Sequence, residues 1–229
     1  MQPRDRLIVA LDRSRRDELL GLADRLDGAV GLFKLGLQSF LANGPAIVRD
    51  FVDAKRAVFL DLKLHDIPHT VAKATAEAAG LGAGMLTLHA AGGRAMLQAA
   101  SRAREGSGLL LLGVSVLTSL GERDLREIGF EGGAEQAVRR LAVLARDCGL
   151  DGVVASPLEI ATIRGACGPE FLIVTPGIRA GRDDAGDQAR MLSATRAIEA
   201  GADYIVVGRP ITEAPDPRKA AIALFAQDS

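Results

Sequence analysis

The feature that most constrains this chain is a recurrence: short, almost unbroken apolar runs alternate with longer stretches rich in Ala, Leu and Arg. The runs are "LIVALD" (7–12), "GLFKLG" (31–36), "AVFLDLKL" (57–64), "MLTLHA" (85–90), "LLLLGVSVLT" (109–118), "DGVVAS" (151–156), "FLIVTPGI" (171–178) and "DYIVVGRP" (203–210). Near-continuous hydrophobicity, in place of alternation, marks strands covered on both faces, as in a parallel sheet. The intervening stretches read as helices. "SRRDELLGLADRL" opens with Ser14 as a candidate N-cap and sets Leu19, Leu22, Ala23 and Leu26 on one face. "PHTVAKATAEAAG" carries Pro68 in its first turn and stops at Gly80. "GGAEQAVRRLAVLARDCG" and "DQARMLSATRAIEAG" likewise end in glycine.

Eight strand-then-helix units within 229 residues leave no interior room for a second domain, so residues 1–229 are expected to form one domain. Strand–helix alternation implies parallel pairing through right-handed crossovers. Eight units fit a closed (β/α)8 barrel, compact at this length. An open doubly wound sheet is the alternative, and the lack of GxGxxG after the first strand weakens its dinucleotide-binding form.

Bulk properties exclude several functions. A net charge of −1 and a pI near 6.3 give no field for a polyanion, and aromatics for base stacking are few, so nucleic acid is not an expected partner. Cys148 and Cys167 lack CxxC spacing and read as packing residues. His65, His69 and His89 lack HxH or HExxH spacing, so no metal centre is expected. No GxSxG elbow is present. The N-terminal "MQPRDRLIVALD" has no signal-peptide core, and no apolar run approaches the ~18 residues of a membrane span. The expectation is a cytoplasmic protein without a membrane partner.

In such barrels function collects at the carboxyl ends of the strands. Those ends carry Asp12, Lys34, then Asp61, Lys63 and Asp66, then His89, Thr118, Ser119 and Ser156, and finally "TPGIR" and "GRP". Asp61 and Lys63, two apart, are expected to share a side of the strand. Each has a bland reading. Asp66 could cap the helix begun at Pro68, Lys34 could snorkel to the surface, and Asp61 with Lys63 could be a structural pair. Three acids and two lysines on three successive strand ends favour a shared site. At the other end, "VVGRPIT" (206–212) offers Gly208 for close backbone approach and Arg209 as a planar fork for phosphate. Pro210 could begin a short helix facing an anion. "RAGRDDAGDQ" (179–188) is either a plain surface loop or a lid.

Taken together, "DLKLHDIPHTV", "FKLG", "SVLTS", "VTPGIR" and "VVGRPIT", in this order along the whole chain, resemble the orotidine 5′-phosphate decarboxylase family. The bare Asp-x-Lys-x-x-Asp is shared with sugar-phosphate barrels of the same superfamily. His69 stands where the family usually has Asn. The resemblance implies a homodimeric barrel converting orotidine 5′-phosphate to uridine 5′-phosphate with neither metal nor organic cofactor. It implies Lys63 as the proton donor, Asp61 beside it, and Asp66 and Thr70 reaching the partner's site. Asp12 and Lys34 would hold the ribose, with Lys34 also bonded to the catalytic acid network, Thr118 and Ser119 the base, and Arg179, Gln188, Gly208 and Arg209 the phosphate. Two alternatives remain at this stage: a metal-assisted sugar-phosphate lyase or synthase, and a non-catalytic nucleotide-binding barrel.

Overall fold

The computed structural model describes residues 2–177 and 193–225. The apolar runs form eight strands, and the stretches between them supply the helices. In chain order these are β1 (Leu7–Ala10), α1 (Arg16–Leu26), β2 (Leu32–Gly36), α2 (Leu37–Asn43), α3 (Pro45–Asp53), β3 (Val58–Leu64), α4 (Pro68–Gly80) and β4 (Met85–His89). There follow α5 (Gly93–Ala103), β5 (Leu110–Val114), α6 (Glu122–Glu127), α7 (Gly133–Asp147), β6 (Gly152–Val154), α8 (Ile160–Cys167) and β7 (Leu172–Pro176). The last are α9 (Ala194–Glu199), β8 (Tyr204–Val207), α10 (Arg209–Thr212) and α11 (Pro217–Ala223). All neighbouring strands pair in parallel, and β8 returns to β1 with Val207 opposite Val9, so the sheet is a closed (β/α)8 barrel.

Two apolar layers hold it together. Leu19, Leu22, Ala23 and Leu26 of α1 are buried, as the helical spacing predicts, in the shell between strands and helices. Inside the barrel, Ile8, Leu32, Phe59, Met85, Leu112 and Val174 form a separate plug. Burying such a side chain contributes roughly 1.5–3 kcal/mol, so the plug fixes the barrel floor. Side chains alternate along a strand, so the next inward position after Leu32 is Lys34, after Phe59 is Asp61, and after Met85 is Thr87. The interior thus turns from apolar to polar on climbing toward the carboxyl ends. Where β6 is shortest, a Cβ on Gly152 would lie 2.3 Å from the Leu172 carbonyl oxygen, so only glycine fits that strand crossing.

Polar clasps tie the opposite rim. Asp151, just before β6, accepts the Leu111 N–H at 2.7 Å and a bond from Arg104 at 3.0 Å. Asp203, just before β8, repeats the pattern with the Ile173 N–H at 2.7 Å and with Arg164.

One local expectation needs correction, and two bland readings fall away. The cap of α1 is Arg15, with no side-chain cap bond, and Ser14 Oγ instead accepts from Gln38 Nε2 at 3.1 Å. The residue before α4 is Ile67, so Asp66 does not cap that helix; its Oδ1 accepts the adjacent Ile67 N–H at 2.6 Å. Lys34 does not snorkel outward, for its side chain is 12% exposed and lies among carboxylates. Among the described residues, no helix is long and apolar enough to cross a membrane.

Candidate active site

At the carboxyl ends of β1, β2 and β3, opposite charges alternate in one line. Asp12 Oδ1 accepts from Lys34 Nζ at 3.2 Å. Lys34 Nζ stands 3.6 Å from Asp61 Oδ2, and the same oxygen accepts from Lys63 Nζ at 2.8 Å. Asp61 is mostly buried, and burial alone would push its pKa up. The ammonium groups of Lys34 and Lys63, with hydrogen bonds from Lys63 and Thr87, outweigh that and hold its carboxyl below the usual carboxylate range. Asp61 is therefore a fixed anion, and Lys63 is the cation at the open end of the series.

Lys63 reaches Asp61 by an irregular route. Its backbone has φ +51°, in the left-handed region, and the β3–β4 register shifts between Leu60 and Leu64. A non-glycine residue there costs of order 1–3 kcal/mol and persists only where its surroundings hold it. The holder is Thr87 of β4. Its Oγ1 accepts the Lys63 N–H at 2.9 Å and donates to Asp61 Oδ1 at 2.8 Å. Thr87 is fully buried and was not among the residues singled out from sequence. The available signal was its inward register between Met85 and His89.

The series opens onto two adjoining hollows. One, of about 190 Å³, is lined by Lys34, Asp61, Lys63, Thr118 and apolar side chains including Val114, Val154 and Val206. The other, of about 500 Å³, is bordered by Asp12, Lys34, Gly208 and Arg209. They share Lys34, Pro176 and Val206, so the lysines and the turn after β8 border one continuous mouth. An added Cβ on Gly208 would meet nothing nearer than Ala10 Cβ at 3.6 Å, so protein packing does not demand glycine there. The bare backbone faces the hollow instead.

The other sequence candidates lie farther out. Ser119 is exposed beside Thr118. Asp66, His69 and Thr70 are exposed, and Asp66 makes no ion pair among the described residues. Arg179, Gln188 and the segment 179–188 lie outside the described residues. The rings of His65 and His89 lie tilted to one another with centroids 5.4 Å apart, near Lys63. Burial, then His65, then Lys63 lower the His89 pKa from 6.5. Cys148 and Cys167 are free thiols whose pKa values burial raises, as suits packing residues. Among the described residues, no three His, Cys, Asp or Glu side chains are grouped to hold a metal ion.

Comparison with known proteins adds an independent line. The family described as orotidine 5′-phosphate decarboxylase / HUMPS matches residues 5–224. An orotidine 5′-phosphate decarboxylase from Moorella thermoacetica is 52% identical, covering 99% of this chain and 93% of its own length. One from Geobacter sulfurreducens is 49% identical over 96% of this chain and 94% of its own. The crystal structure of the enzyme of that name from Lactobacillus acidophilus superposes with a TM-score of 0.84 at 35% identity, covering 96% of this chain and 97% of that one.

Proposed function

The chain belongs to the orotidine 5′-phosphate decarboxylase / HUMPS family, and from that premise we propose that it converts orotidine 5′-phosphate to uridine 5′-phosphate without metal or organic cofactor. The observation that carries this reading is the unbroken Asp12–Lys34–Asp61–Lys63 series, ending in a lysine at a partly apolar hollow. Apolar walls suit a flat base, and a cation against one wall suits charge that develops on the ring.

The chemistry follows from those positions. The pyrimidine packs against Val114, Val154 and Val206, with Thr118 and Ser119 at its polar edge. Asp12 and Lys34 hold the ribose hydroxyls, and Gly208 and Arg209 hold the phosphate, with Arg179 and Gln188 assigned to the same end by family resemblance. The bond between the ring carbon and the carboxylate breaks, and its electron pair stays on carbon. The Lys63 ammonium stabilises that charge and then gives the carbon its proton, leaving carbon dioxide and a neutral amine that solvent reprotonates. Asp61, held ionised, stands close to the substrate carboxylate and disfavours the bound ground state. Phosphate contacts remote from the reacting carbon supply binding energy that positions the base.

A second copy completes the site in this reading. Asp66 and Thr70 are exposed, Asp66 lacks an ion pair among the described residues, and the neighbouring Ile67 is 65% exposed. An apolar residue so placed favours burial against a partner, which would bring Asp66 to the other copy's Lys63.

The deciding experiment follows the ultraviolet change of orotidine 5′-phosphate after the protein has been treated with chelator. Full turnover is expected. A magnesium requirement, with activity on a keto-sugar phosphate, would move the chain to the other branch of the family. Binding of uridine 5′-phosphate without turnover would make it a non-catalytic receptor.

A further inference from the structure

Arg13 follows Asp12 in the chain but takes no part in the charge series. It is half-buried, borders the larger hollow with Gly208 and Arg209, and its Nη2 donates to the Thr212 carbonyl at 3.5 Å. Three other half-buried arginines have carboxylates: Arg56 has Asp24 and Asp27, Arg104 has Asp151, and Arg164 has Asp203, while half-buried Arg6, just before β1, has none among the described residues. Arg13 has none among the described residues. Among the described residues a single carbonyl takes one of the five N–H donors of this half-buried guanidinium, which leaves the others available at the hollow.

Barrel closure sets what it faces. Because Val9 pairs with Val207, the ends of β1 and β8 are neighbours, and Arg13 and Arg209 stand on either side of that seam. Arg209 and Thr212 are three residues apart on α10, roughly 4.5 Å along the axis, so a guanidinium at Thr212 is close to the Arg209 turn. Among the described residues, the charged ones bordering the hollow are Asp12 and Glu213 against Arg13, Lys34 and Arg209, a net of +1 that falls to 0 without Arg13. Without Arg13, the described residues would leave the hollow neutral toward a dianion.

We propose that Arg13 is a further phosphate-binding residue, acting with Arg209 to select phosphorylated over unphosphorylated nucleosides. This rests on the nucleotide-substrate reading above and adds to it a residue outside the motifs that carry the family resemblance. Two forks from adjacent strand ends can each offer paired N–H donors to a phosphate, which a lone arginine cannot do from both sides.

The test compares wild type with Arg13→Gln and Arg13→Lys, using uridine 5′-phosphate and uridine as calorimetric ligands and orotidine 5′-phosphate and orotidine as substrates. Arg13→Gln is expected to weaken uridine 5′-phosphate roughly 10- to 100-fold, as for the loss of a charge-assisted bond, with uridine changed less than about twofold. Arg13→Lys keeps the charge but not the fork and should lose about threefold to tenfold; this variant decides the matter if Arg13→Gln does not fold. With orotidine 5′-phosphate the loss should fall on KM more than on kcat. Unchanged nucleotide affinity overturns the proposal. So does equal weakening of uridine, which would reduce Arg13 to a brace for the turn after β8. If wild type neither turns over orotidine 5′-phosphate nor prefers uridine 5′-phosphate to uridine, the substrate reading itself has failed.

Discussion

Replacing Thr87 by valine removes one hydroxyl and keeps the shape, so it isolates the clamp that holds Lys63 in its left-handed conformation. The hydroxyl makes two bonds, to Asp61 Oδ1 at 2.8 Å and from the Lys63 N–H at 2.9 Å, in a fully buried position. Losing a hydrogen bond to a carboxylate costs ~1.5–3 kcal/mol, and stranding a shielded N–H costs ~1–3 more. The added methyl returns ~0.8 kcal/mol. With partial relaxation the net destabilisation is about 2–4 kcal/mol. Function should suffer through geometry: once the backbone of Lys63 is free to leave φ +51°, its amine no longer has a fixed place 2.8 Å from Asp61. A drift of about 1 Å at a reacting group can cost on the order of 100-fold in rate. The assays are urea unfolding and steady-state decarboxylation, with Thr87→Ser as the control that keeps the hydroxyl. Serine should retain most of kcat and lose roughly 1 kcal/mol for one buried methyl. If valine keeps kcat within about twofold, or serine loses as much as valine, the clamp argument is wrong.

Other perturbations bear on the rest of the site. Lys63→Ala should abolish turnover while leaving the thermal transition nearly in place, and loss of both would make the lysine structural. Mixing Lys63→Ala with Asp66→Asn, each inactive alone, should restore about a quarter of wild-type activity, since half the dimers would hold one intact site; no recovery argues against a shared site. Arg209→Ala should weaken uridine 5′-phosphate far more than uridine, and equal weakening would remove Arg209 from the phosphate end. His89, whose folded pKa lies below 6.5, is kept neutral by the fold. It therefore contributes stability that is fully present above that pH and declines as the pH falls from 6.5 through the folded pKa. Urea midpoints of wild type should drop more steeply over that window than those of His89→Gln; parallel curves would refute the assignment.

How far the sequence reveals this protein depends on which physical signal is read. Strands buried on both faces show as apolar runs, so the barrel and its order were legible, and α4 spans Pro68 to Gly80 as its proline and glycine indicate. The charges at the strand ends were legible too, because Asp12, Lys34, Asp61 and Lys63 interrupt those runs. The convergence of Asp61 and Lys63 was correct, yet its reason was incomplete. Period-two reasoning assumes a regular pleat, whereas β3 is irregular beside β4 and Lys63 adopts φ +51°. Thr87 was missed because threonine is an ordinary strand residue, and only its pairing with Asp61 reveals a second duty. Short helices such as α2 and α6 escaped notice, since a turn or two carries too little periodicity to register, whereas Pro210 marks α10. The exposed Asp66 could be assigned a role in the partner's site only through family resemblance, because it makes no ion pair among the described residues of its own chain.

The aspartates before β6 and β8 have a consequence of their own. Each fastens a strand start to its neighbour and to an arginine, far from the opening where the lysines stand. Parallel strands thereby divide labour between two rims, one fastened by these clasps and the other carrying the charge series. Heat tolerance can accordingly be engineered from below, by reinforcing those fastenings, while turnover is tuned from above, and neither effort need disturb the other.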